Sequence, residues 1–387
     1  MSPAIPRSPV LAATGDYPFM RLDEAKRRVR EGGVTLIDFG VGDPREPTPA
    51  FIREALVAGV RETMEYPKAA GMPELREAVA AWVARRFGVD LDPGTEVIPT
   101  LGAKEAVFGM AQVVVDRGAG KDLVITTEPG YPVPERGARY AGADVLRLPL
   151  RERNGFLPDL DAVPAGAWRR AALVWVNYPN NPTGAVAPLG LYERLADLAV
   201  EHGFLLASDE AYSELYGGGG PPPSALQVRD RANVVVVNTL SKRSSMTGYR
   251  SGFVAGSPDA LAALRSYRPT VGTAPQEFVQ RAAIAAWGDE EHVREARARY
   301  ARKRAVLADV LTRRGLRIAG GDATMYLWVE VPAGETGEGF AGRLLEHGVV
   351  VAPGAFLGPA GEGYVRIALV PTEDDCRRAA AILEEVL

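Results

Sequence analysis

Short apolar runs recur through the middle of the chain, and each is followed at once by small or polar residues: EVIPT, LVITT, ALVWV, FLLAS and VVVVN. Runs this short, unalternating and rich in branched residues predict strands buried on both faces. Helical spacing fills the intervals, as in KEAVFGMAQVVVD after the first run. Strand and helix in alternation predict an α/β fold built on a mainly parallel, doubly wound sheet flanked by helices. Ligands of such sheets bind beyond the carboxyl ends of the strands, so the loops after these runs are expected to meet at one site.

The flanks follow a different rhythm. A proline-rich arm and a short charged helix around Leu22 to Arg30 precede a strand from Val34 to Phe39, which runs into GVGDPREPTP. There Gly40 and Gly42 leave a backbone that a ligand can approach closely. PELREAVAAWVARRF reads as an amphipathic helix opened by Pro73 and ended by Gly88. GGGGPPP, residues 217–223, reads as a surface loop, and Pro275 to Gly315 as one or two long helices with a charged outer face. A smaller α/β unit closes the chain through LRIAG, TMYLWVEV, GVVVAPG and YVRIALV. The expected division is an arm with part of a small domain at 1–47, a large domain at 48–282 and a small C-terminal domain at 283–387.

Composition narrows the function classes. The 387 residues are 47% hydrophobic and 24% charged, with a net charge of -4 and no basic run. That is a soluble globular chain with no footprint for nucleic acid or an anionic membrane. Cys376 is the single cysteine, which excludes an internal disulfide and fits a reducing compartment. The three histidines, His202, His292 and His347, are too scattered for a metal site. No signal pattern or membrane-spanning run is present, so the expected location is the cytoplasm.

The loop residues carry complementary chemistry. Lys242 follows VVVVN directly, where partial burial would lower its pKa and prepare it for Schiff-base chemistry. Thr239, Ser241, Ser244, Thr247 and Arg250 around it suit a phosphate. So do the N–H groups at the start of the helix after Gly102. Tyr131 offers a flat face to an aromatic ring, Asn181 a donor, and Tyr212 a phenol. Asp209 beside an apolar strand would be costly to bury without a cation, and a protonated pyridine nitrogen is one such partner. Together these groups describe pyridoxal phosphate held at every functional group.

NNPTG, SDEAY and SK with an arginine eight residues later, in that order, resemble the class I/II aminotransferases of fold type I, nearly end to end, which implies seven strands in the large sheet. By that resemblance Lys242 bonds the cofactor and moves the α-proton, and Asp209 pairs with the pyridine nitrogen. Tyr212 and Asn181 hold the phenolic oxygen, and Tyr131 stacks on the ring. Gly102, Ala103 and Lys104, mostly through backbone amides, cradle the phosphate together with Thr239 and Arg250. Thr239 stands where many relatives carry serine. Tyr66 would reach the phosphate of a neighbouring subunit, which implies a homodimer with shared active sites. Arg366 would fork onto the substrate α-carboxylate, with Gly42 and Asn181 assisting.

The implied reaction is ping-pong exchange of an amino group between an L-amino acid and a 2-oxo acid. The wording EVIPTLGAKEAVF and TMYLWVEV resembles the N-succinyl-diaminopimelate and LL-diaminopimelate branch. N-succinyl-LL-2,6-diaminopimelate with 2-oxoglutarate/glutamate, in lysine biosynthesis, is the first choice of substrates. An aspartate/alanine-type enzyme, an LL-diaminopimelate enzyme and a C–S lyase of the same fold are the alternatives. Arg7, Tyr17, Arg21, Lys68 and Arg243 are candidates for recognising the substrate side chain.

Overall fold

Val234 to Val237 lie in the middle of a seven-stranded sheet, each 0–1% exposed, because helices cover both faces of the sheet at that point. The computed structural model describes residues 5, 7–15, 18–272 and 274–387. The sheet contains β1 (Val97–Thr100), β2 (Leu123–Glu128), β3 (Asp144–Pro149), β4 (Ala171–Asn177), β5 (Leu205–Asp209), β6 (Val234–Thr239) and β7 (Gly252–Gly256). Their order is β1-β7-β6-β5-β4-β2-β3. β7 runs antiparallel to both of its neighbours, and all the other pairs are parallel.

Two of these strands lie outside the apolar-run pattern. β3 is an edge strand whose residues are mostly half-buried or exposed, so it needs no continuous apolar run. β7, GFVAG, is bounded by glycines because the backbone of β6 passes against it. A Cβ on Gly252 would overlap the carbonyl oxygen of Asn238, and one on Gly256 that of Val234.

Helices pack on both faces of this sheet over two apolar cores. Pro73–Phe87 buries Leu75, Val79, Trp82, Val83 and Phe87 and ends on Gly88 in the left-handed conformation (φ 68°), as its sequence predicts. The helix Ala103–Val114 begins on Gly102, directly beyond the end of β1.

A four-stranded antiparallel sheet organises the other core. Tyr326–Glu330 pairs with Tyr364–Ala368, which in turn pairs with Ala352–Pro353, while Ile318–Ala319 completes the far edge. The helices Glu291–Arg313 and Glu373–Val386 pack together beside it. Regular pairing in the segment expected as a strand from Val34 to Phe39 is confined to Ile37–Asp38, parallel to Val349–Val350. The expected charged helix covers Phe19–Glu31. Cys376 is buried in the last helix, where desolvation pushes its thiol up to about 11, so it is unreactive. No helix of the described residues is long and apolar enough to cross a membrane.

Candidate active site

The carboxyl ends of β4, β5 and β6 stand side by side. Asn177 and Asp209 are paired across β4 and β5, and Thr239 ends β6 two residues beyond the partner of Asp209. A cavity of about 580 Å³ opens there, between the large sheet and the antiparallel one. From the loops expected to converge it takes Ala103, Lys104, Tyr131, Asn181, Asp209 and Tyr212. Thr239, Lys242 and Arg250 line it from the β6 loop, Arg366 from the smaller sheet, and Gly42 from the loop after Ile37–Asp38.

Lys242 donates from Nζ to the carbonyl oxygen of Gly42 at 2.5 Å. Burial lowers its amine to about 8; Arg366 and Arg250 add to the effect, while Asp43 and Asp209 oppose it. Asp209 shows the complementary shift. Burial raises its carboxyl to about 6, against the opposing pull of the Ala211 N–H, which donates to Oδ1 at 3.1 Å, and of Lys242. An amine and a carboxyl each pushed toward neutrality in one cavity mark a place built for a reacting group and a cation.

At the phosphate end, the N–H groups of Ala103 and Lys104 open a helix and have no acceptor among the described residues. Gly102 (φ 71°) lies against the Arg250 guanidinium, which a Cβ there would overlap. Arg250 donates to the carbonyl oxygens of Thr247 (2.9 Å) and Leu101 (3.2 Å) and has no carboxylate at ion-pair distance among the described residues. The Thr239 hydroxyl accepts from the Ser241 N–H at 3.2 Å and lies 2.9 Å from the Ser251 carbonyl oxygen. This is an anion cradle. Lys104 adds more than its backbone, since its Nζ lies 5.9 Å from the centre of the Tyr131 ring.

At the opposite end Arg366 is 3% exposed, although its strand position alone would place it in solvent. It donates to Asn181 Oδ1 (3.0 Å) and to the Gly40 carbonyl oxygen (2.8 Å), while Nε has no partner among the described residues. Its guanidinium lies 4.5 Å from the centre of the Tyr326 ring. The phenols of Tyr326 and Tyr212 are 2.9 Å apart, and burial raises the Tyr212 phenol well above its ordinary value.

Several cavity residues escaped the sequence reading. Asn177 accepts from the Asn181 N–H at 2.9 Å and donates to the Asp209 carbonyl oxygen at 2.9 Å, tying two loops together. Its place at the end of ALVWV was the available signal. Tyr326 sits in an apolar strand, where nothing in the spacing marks it. Phe19, Met20 and Asp23 line the cavity from the charged helix.

The candidates for side-chain recognition fare worse. Arg7, Arg21 and Lys68 are exposed and do not line the cavity, and Arg21 pairs with Glu338 instead. Arg243 is 1% exposed, pairs with Glu290 at 3.2 Å and lies over Trp287, because the turn after Lys242 directs it into the core. Tyr17 lies outside the described residues. Tyr66 is 96% exposed and does not line this chain's cavity.

Comparison with known proteins agrees with this geometry. Residues 34–383 match the model for aminotransferase class I and II. The chain is 43% identical, over 92% of its length and 93% of the relative's, to an LL-diaminopimelate aminotransferase of Aquifex aeolicus. It is 40% identical, over 96% of both chains, to an LL-diaminopimelate aminotransferase of Nitratidesulfovibrio vulgaris. Among solved structures, a "probable N-succinyldiaminopimelate aminotransferase" of Thermus thermophilus is 37% identical with a TM-score of 0.88, covering 96% of this chain and 100% of that one.

Proposed function

Because the chain belongs to the class I and II aminotransferase family, we propose that it transfers an amino group between LL-2,6-diaminopimelate and 2-oxoglutarate. It is an aminotransferase, and its cofactor is the pyridoxal phosphate that members of the family use. The substrate reading rests on one observation: relatives covering more than nine-tenths of the chain at 40–43% identity bear the name LL-diaminopimelate aminotransferase. The N-succinylated substrate becomes the second reading, favoured by the Thermus structure at 37% identity.

The donor set fits the cofactor. We assign the phosphate to the Gly102–Lys104 turn, Thr239 and Arg250, the ring to Tyr131 and Asp209, and the phenolic oxygen to Tyr212 and Asn181. Bound there, pyridoxal phosphate supplies an electron sink for the carbanion left when the substrate loses its α-proton. The chain's own residues do the rest. Lys242, neutral at mildly alkaline pH, takes the α-proton on Nζ and later returns it. Arg366 fixes the α-carboxylate with two parallel donors, helped by Asn181 and the Gly42 backbone. Asp209 holds its negative charge against a protonated ring nitrogen and so keeps that nitrogen charged.

Tyr66 does not line its own cavity, and we assign it to the phosphate of a second copy in a homodimer with shared sites. Its exposure, beside exposed Val57 and Val60, supports this assignment. The division at residues 47 and 282 and a cytoplasmic location complete the proposal.

Absorbance of the yellow holoenzyme tests the substrate. LL-diaminopimelate without an acceptor should bleach the band, and 2-oxoglutarate should restore it. Bleaching by the N-succinylated compound alone would move the assignment to the second reading. Pyruvate and ammonia released from cystathionine without any acceptor would instead mark a C–S lyase.

A further inference from the structure

A second cavity, of about 250 Å³, lies between Leu215–Gly218 and the helix Glu291–Arg313, bounded by Asp322 and Thr324, and shares no lining residue with the first. Of the two arginines that line it, Arg297 and Arg304, only Arg297 meets a carboxylate among the described residues. Along the same helix other basic residues meet carboxylates: Lys303 with Glu46 at 2.7 Å, Arg302 with Glu373 at 2.7 Å and Arg297 with Glu214 at 3.7 Å. Arg304, which lines the cavity, has no carboxylate at ion-pair distance among the described residues. It gives one N–H to the Tyr326 carbonyl oxygen at 2.6 Å, and burial disfavours its charge. Asp322 also lines the cavity and attracts Arg304 without pairing with it. Its carboxylate accepts from the Gly218 N–H at 2.8 Å, and a Cβ on Gly217 would overlap it.

A half-buried guanidinium with no carboxylate at ion-pair distance among the described residues, and an exposed carboxylate held apart from it in the same cavity, leave two opposite charges open to one ligand. We propose that this cavity is a second small-molecule site that takes a zwitterionic amino acid, its carboxylate on Arg304 and its ammonium toward Asp322. Tyr216, Tyr300 and Ala301 supply apolar surface for a short side chain. The cavity, about 250 Å³, has room for a small amino acid. Arg304 links the site to the catalytic one, because the residue whose carbonyl it holds, Tyr326, also bonds Tyr212 and covers Arg366. Occupancy therefore alters the wall behind the substrate-carboxylate arginine.

The test is calorimetric titration of the holoenzyme with N,N-dimethylglycine, a zwitterion whose tertiary nitrogen cannot condense with an aldehyde. Saturable binding is expected in the wild type and in Arg366→Lys, and it should weaken about tenfold in both Arg304→Gln and Asp322→Asn. Position 322 is exposed, so Asp322→Asn carries the test if Arg304→Gln fails to fold. Absence of saturable binding overturns the proposal. So does weakening by Arg366→Lys with none in the other two variants, which would place the ligand in the catalytic cavity. Weakening by Arg304→Gln alone, with acetate binding equally well, would overturn the zwitterion and leave a plain anion site.

Discussion

Lys242 and Gly42 lie 200 positions apart in sequence, yet the amine of one donates to the backbone carbonyl oxygen of the other at 2.5 Å. The partner is a neutral carbonyl, not a carboxylate, so among the described residues nothing at bonding distance holds a full positive charge on the lysine. Burial therefore lowers the amine to about 8.

This has a kinetic consequence. Only the neutral amine attacks an aldehyde, so the rate of reconstituting the apoenzyme with pyridoxal phosphate should rise with pH and level off just above 8. A plateau near the ordinary lysine value would contradict the burial argument. Lys242→Ala should form no yellow enzyme and lose activity by about 10⁴-fold or more.

Arg366 makes two charged hydrogen bonds in the cavity and has a third donor, Nε, left over. Arg366→Lys keeps the charge but loses the planar fork. With about 1.5–3 kcal/mol for each charge-assisted bond, kcat/KM should fall about 10²- to 10⁴-fold, while pyridoxal phosphate affinity holds. Absorbance titration separates the two effects.

Gly42 faces the Tyr326 phenol so closely that a Cβ would overlap it, and that phenol is 2.9 Å from Tyr212. Gly42→Ala should force the tyrosine pair apart, cost about 1–3 kcal/mol in stability and weaken cofactor binding. Denaturant unfolding and absorbance titration read the two losses. An unchanged affinity would show that the phenol pair does not bear on the cofactor.

Glu210 lies next to Asp209 but on the opposite face of the chain, 0% exposed. Its Oε1 accepts from the Ala225 N–H (2.8 Å) and the Ser208 hydroxyl (3.0 Å), and its Oε2 has no partner among the described residues. Burial raises its carboxyl to about 7. A raised carboxyl binds its proton more tightly folded than unfolded, so its contribution falls as pH rises from about 4.5 to about 7. Glu210→Gln should be relatively more stable above pH 7, and the difference from wild type should vanish below pH 4.5. Chemical denaturation across that range gives the difference curve, and a flat curve would refute the buried neutral carboxyl.

Tyr66 distinguishes the isolated chain from the assembly. In one chain it is 96% exposed, and Tyr66→Phe would then change nothing. In the proposed homodimer the variant should lose pyridoxal phosphate affinity by about tenfold without a shift in thermal unfolding.

The sequence determined the parts whose physics is local. Short apolar runs specify strands buried on both faces, Pro73 and Gly88 bracket their helix, and the residues ending β4, β5 and β6 occupy the cavity because parallel strands deliver their carboxyl ends to one edge. Tertiary structure decided whatever depends on which backbone lies alongside which. It set the antiparallel β7, whose glycines make sense only against β6. It buried Arg366, which its strand position alone would leave in solvent, because the antiparallel sheet faces the large one across the cavity. It turned Arg243 into the core one residue after the lysine that faces the cavity, and it recruited Tyr326 from an apolar strand. Local patterning encodes burial and turns; the direction of a side chain at the seam between two sheets is set by residues hundreds of positions away.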